Sequence, residues 1–199
     1  VAELLGLSSR SDGSYVNGWS LDYGISTAKK VWSGEVDFIL TLQMDVMFCD
    51  RLAISKSVKK ALSGNNIAAV GFRRQKSYGG QHDVLHSLGC LWSLRVLDDL
   101  SLSMLPRFPD FDVGEEAVVI SKRSGFEIAH FPCSYSDDTV VQRIKSRKIK
   151  MLSADRTLGD MDELLFMHLG RGIEKSRGGG AQTNLGPWRE AWSEIREKY

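Results

Sequence analysis

The stretch Asp37-Phe-Ile-Leu-Thr-Leu-Gln-Met-Asp45-Val-Met-Phe48 decides the fold class. Phe38 to Leu42 is a short apolar run of β-favouring side chains and predicts a strand over 36–42. The run stops at Gln43 and Met44, and Asp45 follows at once. A hydrophobic strand that ends by presenting a carboxylate suits the carboxyl edge of an open α/β sheet, where such sheets bind their ligands. Downstream, Leu52 to Leu62 is amphipathic, with Ile54, Val58, Ala61 and Leu62 expected inward and Lys56, Lys59 and Lys60 outward. Ser63-Gly64-Asn65-Asn66 ends that helix, and Ile67 to Phe72 reads as a second buried strand. Strand, helix, strand in this order predicts a crossover unit. The expected class is α/β, with a mainly parallel central sheet flanked by helices.

The flanks extend this pattern. Val1 to Leu7 is apolar, Ser8 to Asn17 is a turn-rich loop, and Ser20 to Ser33 is a helix with Leu21, Ile25 and Ala28 on one face, closed by Gly34. Arg73 to Ser87 reads as a long polar loop, Leu88 to Leu94 as a strand and Val96 to Leu102 as a short helix. Glu115 to Ser124 is a helix capped by Gly125, Glu127 to Pro132 a strand, and Ser136 to Asp155 partly helical. Arg177-Gly-Gly-Gly180 looks like a hinge before a terminal helix, Pro187 to Tyr199, which divides the chain into a domain over 1–176 and a tail over 177–199.

At 199 residues, with 42% hydrophobic and 26% charged side chains, the chain has the length and composition of one globular domain with a sizeable core. A net charge of +1 argues against wholesale polyanion binding, so nucleic acid is not an expected partner. Cys49, Cys90 and Cys133 are odd in number and widely spaced, which points to a reducing compartment. There is no apolar run of about 18 residues and no signal peptide, so the expected location is cytoplasmic, free or peripheral to a membrane.

Several residues could carry chemistry. Asp45, at a strand end, is either a ligand for a hard cation or a solvated, helix-capping aspartate. The acids between Asp110 and Glu116 open a helix, where the dipole stabilises them, and one of them could instead act as a general base. Asp12-Gly13 reads as a turn, Arg73-Arg74 as a phosphate-binding or solvated pair, and Trp92 as core or sugar-stacking. His82 and His86 have the spacing of a helical metal pair, but lie in a glycine-rich stretch. Lys145 to Lys150 reads as a solvated basic face. His168 follows Leu164, Leu165, Phe166 and Met167, a setting that also suits a satisfied core histidine.

Taken in order, Asn17-Gly18…Gly24-Ile25…Ala28, Gly34-Glu35…Phe38-Ile-Leu…Gln43-Met44-Asp45-Val46, Gly125-Phe126…Pro132 and Phe166-Met167-His168-Leu169-Gly170 give a pattern. It resembles the GT-A fold nucleotide-sugar glycosyltransferases, family-2-like and inverting, over about residues 10 to 175. The resemblance implies transfer of a sugar from a nucleotide-diphosphate donor to a hydroxyl of a carbohydrate, lipid-linked or protein acceptor, as in polysaccharide biosynthesis. It makes Asp45 and His168 ligands of Mn²⁺ or Mg²⁺, and the imidazole favours manganese. It makes Asp112 the base, with Glu115 second, and sets Asp12, Asn17, Gly18, Gly24, Gly89 and Arg171 along the donor. Gln43 stands where the family has its first metal-site acid. The family's base-binding strand and helix would lie ahead of residue 8, where only a remnant fits, so the expectation is an amino-terminally shortened domain. Two other readings use the same residues. A sugar nucleotidyltransferase would want a glycine-rich basic loop near its first strand; a non-catalytic binding or structural module of the same fold is supported by Gln43.

Overall fold

In the computed structural model of the chain, the described residues are 10–32, 34–43, 46–74, 76–134, 137–146, 155–161 and 163–168, with Arg189, Ser193 and Glu197. In chain order the elements are α1 (Arg10–Val31), β1 (Phe38–Leu42), β2 (Val46–Phe48), α2 (Ala53–Ala61), β3 (Ile67–Arg74), β4 (Val84–Ser93), α3 (Leu94–Asp99), α4 (Glu115–Arg123), β5 (Glu127–Phe131), α5 (Asp138–Ser146), β6 (Asp155–Leu158) and β7 (Leu164–His168). Two compact units result: Val1–Leu42 with Ser57–His130, and Gln43–Lys56 with Phe131–Tyr199. The class is α/β. The predicted hinge at 177–180 lies outside the described residues, as does the terminal helix apart from Arg189, Ser193 and Glu197.

The first unit holds a sheet ordered β1-β4-β3-β5. β4 runs antiparallel to both neighbours, with Leu40 and Val70 both opposite Leu91. β1 and β3 therefore run the same way, as the crossover requires, but β4 lies between them. Glu127 N–H donates to the Asn66 carbonyl at 2.9 Å, which sets the start of β5 level with the start of β3, parallel to it. The sheet is thus mixed and mostly antiparallel, which corrects the expectation of a mainly parallel one. The physical reason is the stretch read as a long loop, Arg73 to Ser87. β3 continues through Arg74, the chain turns over 75–83, and β4 already begins at Val84. So short a connection permits only an antiparallel return, because a parallel neighbour needs a crossover of about a dozen residues or more.

Buried residues on β3 and β4, among them Ala69, Val84, Leu85, Cys90 and Trp92, form one core with Ile25, Met104 and the Ala117, Val118 and Val119 face of α4. The register shifts between Gly71 and Phe72, and glycine is required on both strands there. A Cβ on Gly71 would lie 2.8 Å from Cys90 Sγ, and one on Gly89 would lie 2.7 Å from the Phe72 ring. α4 ends as its sequence predicts, with Gly125 at φ +85° and Phe126 N–H donating to the Ser121 carbonyl at 3.0 Å.

Two helices depart from expectation. α1 begins at Arg10, so the stretch read as a loop, including the Asp12-Gly13 turn, is helical. Serine, aspartate and glycine disfavour a helix locally, and tertiary contacts override them. Gly18 packs against the chain at Met104 and Leu105, Asp22 accepts from Ser103 Oγ at 2.6 Å and from Met104 N–H at 2.7 Å, and Lys29 pairs with Asp98. A Cβ on Gly18 would stand 2.7 Å from the Met104 carbonyl oxygen, a backbone atom that cannot swing away. Gly18→Ala is expected to lower stability by about 1–3 kcal/mol in urea denaturation, overpacking outweighing the gain of about 1 kcal/mol in helix propensity. A more stable variant would contradict that close approach. In α2 the buried positions are Ala53, Ser57 and Ala61, whereas Ile54 and Leu62 are exposed. The segment carries two overlapping four-residue stripes. The smaller side chains, not the larger, are buried.

The second unit contains a three-stranded sheet ordered β2-β7-β6, antiparallel throughout. β7 is central, with Leu165, Phe166 and Met167 buried. Val140 on α5 packs with Leu158 and Leu164. Asp50 and Glu163 both receive the Lys56 ammonium, Glu163 at 2.8 Å. No helix among the described residues is long and apolar enough to cross a membrane.

Candidate functional site

The acid cluster resolves into two unlike carboxylates. Glu115 is 1% exposed at the first position of α4, where Gly114 at φ +71° turns the chain into the helix. Arg74 Nη1, at the end of β3, donates to Glu115 Oε1 at 2.7 Å. The N–H groups of Tyr78 and Asp112 both donate to Oε2 at 2.8 Å. One buried carboxylate thus ties three segments together: the end of β3, the loop over 76–80 and the approach to α4. Burial pushes its pKa above the usual value, although the two N–H groups and the Arg74 guanidinium act the other way.

Asp112 is only partly buried. Its Oδ1 accepts from Val113 N–H at 2.8 Å, and its own N–H is fixed on Glu115. Its carboxylate is therefore oriented by its own backbone and remains reachable from solvent, which a general base needs. Glu115 has both oxygens engaged and no access. Of the two carboxylates, Asp112 is the one open to solvent, and Glu115 holds the Asp112 backbone through its N–H.

The loop over 76–80 and the approach to α4 both carry aromatic rings. Gly79 N–H donates to the Asp110 carbonyl at 2.8 Å, and a Cβ on Gly79 would stand 2.9 Å from Asp110 Cα, so the two loops touch at backbone distance. The rings of Tyr78 and Phe108 meet edge to face at 4.9 Å, and Phe108 meets Tyr15 at 6.0 Å. Arg107 pairs with Glu116 at 2.9 Å. The aromatic residues went unread in the sequence because Tyr15, Tyr78 and Phe108 are far apart in the chain and share no motif.

In the second unit, the register of the small sheet brings distant residues together. Val46 on β2 lies opposite His168 on β7, and Asp155 on β6 is the partner of His168 on its other side. Asp45 and Arg171 lie outside the described residues, but Asp45 is the chain neighbour of Val46. His168 is buried at the end of its strand. Among the described residues no three His, Cys, Asp or Glu side chains form a metal-holding group.

The remaining candidates divide among helical, exposed, packed and paired positions. Asp12 lies in the first turn of α1. Asn17 and Gly24 are exposed on α1, and the space beside Gly24 is open. Gly18 and Gly89 are filled against Met104 and Phe72, so neither leaves room for a sugar, and Trp92 is buried in the core. Arg73 pairs with both Asp83 oxygens at 3.2 and 3.3 Å, and Arg74 with Glu115, so this arginine pair is held by acids of the chain. His82 stacks on Phe111 at 5.6 Å and His86 lies in β4, so they form no helical metal pair. Cys90 is buried and its thiol is pushed up to about 12, so it is no nucleophile at neutral pH. Comparison of the chain with protein-family models, with curated proteins and with solved structures found no match.

Proposed function

We propose that the chain is a GT-A-type, metal-dependent, inverting glycosyltransferase that moves a sugar from a nucleotide-diphosphate donor to an acceptor hydroxyl. The observation that carries this reading is the pairing of Val46 with His168, which brings the strand that follows Asp45 in the chain beside the strand that ends at His168. A carboxylate oxygen and an imidazole nitrogen are a donor set that Mn²⁺ accepts more readily than Mg²⁺. Asp45 and His168 would hold the ion, which when bound neutralises the diphosphate leaving group. The accessible Asp112 carboxylate takes the proton of the acceptor hydroxyl as that oxygen forms its bond to the anomeric carbon. Glu115 keeps Asp112 in place through the Asp112 N–H. Displacement from the face opposite the leaving group inverts the anomeric centre.

Nucleoside diphosphate release from UDP-, GDP- and TDP-sugars tests the proposal. Release is expected with one nucleotide only, dependent on Mn²⁺, and lowered about 10²–10³-fold in Asp45→Ala, a loss of roughly 2–4 kcal/mol of transition-state stabilisation. Full turnover in Asp45→Ala would contradict the metal assignment.

A further inference from the structure

β1 is the outer strand of the first unit's sheet, paired with β4 on one side only. Which of its main-chain groups face outward follows from the ladder. Leu94 N–H donates to the Asp37 carbonyl at 2.9 Å, and Phe38 lies opposite Ser93 at the next register position. In an antiparallel ladder, pairs that exchange hydrogen bonds alternate with pairs that do not. Asp37, Ile39 and Thr41 therefore turn their N–H and C=O groups to β4, whereas Phe38, Leu40 and Leu42 turn theirs away. The Thr41 hydroxyl agrees with this phase, since it donates to the Cys90 carbonyl on β4 at 3.1 Å. Three residues thus hold their outward N–H and C=O groups at an edge that no other strand among the described residues joins.

Folded proteins guard such edges, because a row of open N–H and C=O groups templates a further strand. The other outer strand of the same sheet is guarded: β5 carries Glu127 and His130, both exposed. β1 carries none of the usual devices. Phe38-Ile-Leu-Thr-Leu42 has no charge and no proline, and its register with β4 runs without a bulge. This edge is also complementary to itself. In an antiparallel pair of β1 strands related by a two-fold axis at Leu40, Leu40 meets Leu40 of the second copy and Phe38 meets its Leu42. Those are the outward-facing residues, so every outward N–H finds an outward C=O. A register slipped by one residue would set outward groups against inward ones, and a slip of two would leave the ends unpaired. Side chains favour the same register. Leu42, 38% exposed, gains the Phe38 ring of the second copy as its cross-strand neighbour. Asp37 faces the neutral Gln43, whereas a parallel pairing would set Asp37 against Asp37.

We infer that the chain forms a two-fold homodimer through β1, which joins two four-stranded sheets into one continuous sheet. The contact is independent of the glycosyltransferase reading. Its partner is a second copy of the chain, because the free edge supplies to itself both the hydrogen-bond pattern and the apolar cross-strand neighbours.

The experiment is sedimentation velocity of the full chain over a concentration series, paired with amide hydrogen exchange read residue by residue. A dimer is expected to grow in with concentration. The Phe38, Leu40 and Leu42 amides should then exchange more slowly, while those of Ile39 and Thr41, already bonded to β4, should change little. Leu40→Pro removes an outward N–H and leaves the β4 ladder its donors, as an edge position allows. Leu42→Lys puts a charge on the exposed end of the strand. Each substitution should weaken dimerisation about tenfold or more. Should Leu40→Pro fail to fold, Leu42→Lys alone decides. A chain that stays monomeric to millimolar concentration would overturn the inference, as would a dimer that survives Leu42→Lys. Edge amides protected equally at every concentration would also overturn it, since a segment of the same chain would then cover β1.

Discussion

Glu115→Ala is expected to cost about 2–4 kcal/mol of folding stability in urea denaturation, the largest loss for any single truncation among the residues discussed. Removing this carboxylate leaves the Arg74 guanidinium without its acid and strips the acceptor from the Tyr78 and Asp112 N–H groups. Arg74 is partly solvent-exposed, which holds the cost below that of breaking a fully buried pair. Glu115→Gln keeps an acceptor and the shape of the side chain, and should lose only about 1–2 kcal/mol. The pH dependence separates the two effects. The folded-state pKa of Glu115 lies above its ordinary 4.5, chiefly through burial, so the fold favours the protonated form. Its contribution is therefore fully present below 4.5 and is lost as pH rises through the folded value. Stability of the wild-type protein should carry this decline with rising pH above 4.5, and Glu115→Gln should lack it. An identical pH profile in the two proteins would show that Glu115 titrates normally and that its burial costs little.

Asp112→Ala should lower the rate of sugar transfer by about 10²–10⁴, the usual worth of a positioned general base. Stability should change far less than in Glu115→Ala, since Asp112 is partly exposed and its side chain accepts from the neighbouring Val113 N–H. Nucleotide and metal binding should persist, because Asp112 acts on the acceptor. A Glu115→Gln protein should retain transfer at a reduced rate, because it keeps an acceptor for the Asp112 N–H. Transfer at the wild-type rate in Asp112→Ala would remove Asp112 from the reaction.

The sequence made local structure readable wherever one period dominated. The strands expected over 36–42, Ile67 to Phe72 and Glu127 to Pro132 are found at Phe38–Leu42, Ile67–Arg74 and Glu127–Phe131, and α4 begins and ends where its acids and Gly125 place it. What failed was decided by contacts between remote segments. The helical start of α1 depends on Gly18 and Asp22 meeting the chain at 103–105. The buried face of α2 could not be chosen from two stripes of equal period. The antiparallel sheet followed from a turn hidden inside a polar, glycine-containing stretch, and β6 and β7 carried no alternation that set them apart. The acid cluster was visible, but the division of labour within it was not. That division depends on which carboxylate Arg74 and the Tyr78 backbone reach.

Thermal stability against UDP-, GDP- and TDP-sugars, each with and without Mn²⁺, tests the central claim most directly. A donor that binds only the folded state should stabilise it by about 2.7 kcal/mol at a hundredfold excess over its dissociation constant. The account predicts such a shift with one nucleotide, only in the presence of the metal, and its loss in Asp45→Ala and His168→Ala proteins that remain folded. No shift with any nucleotide, or a shift that ignores the metal and both substitutions, would contradict it.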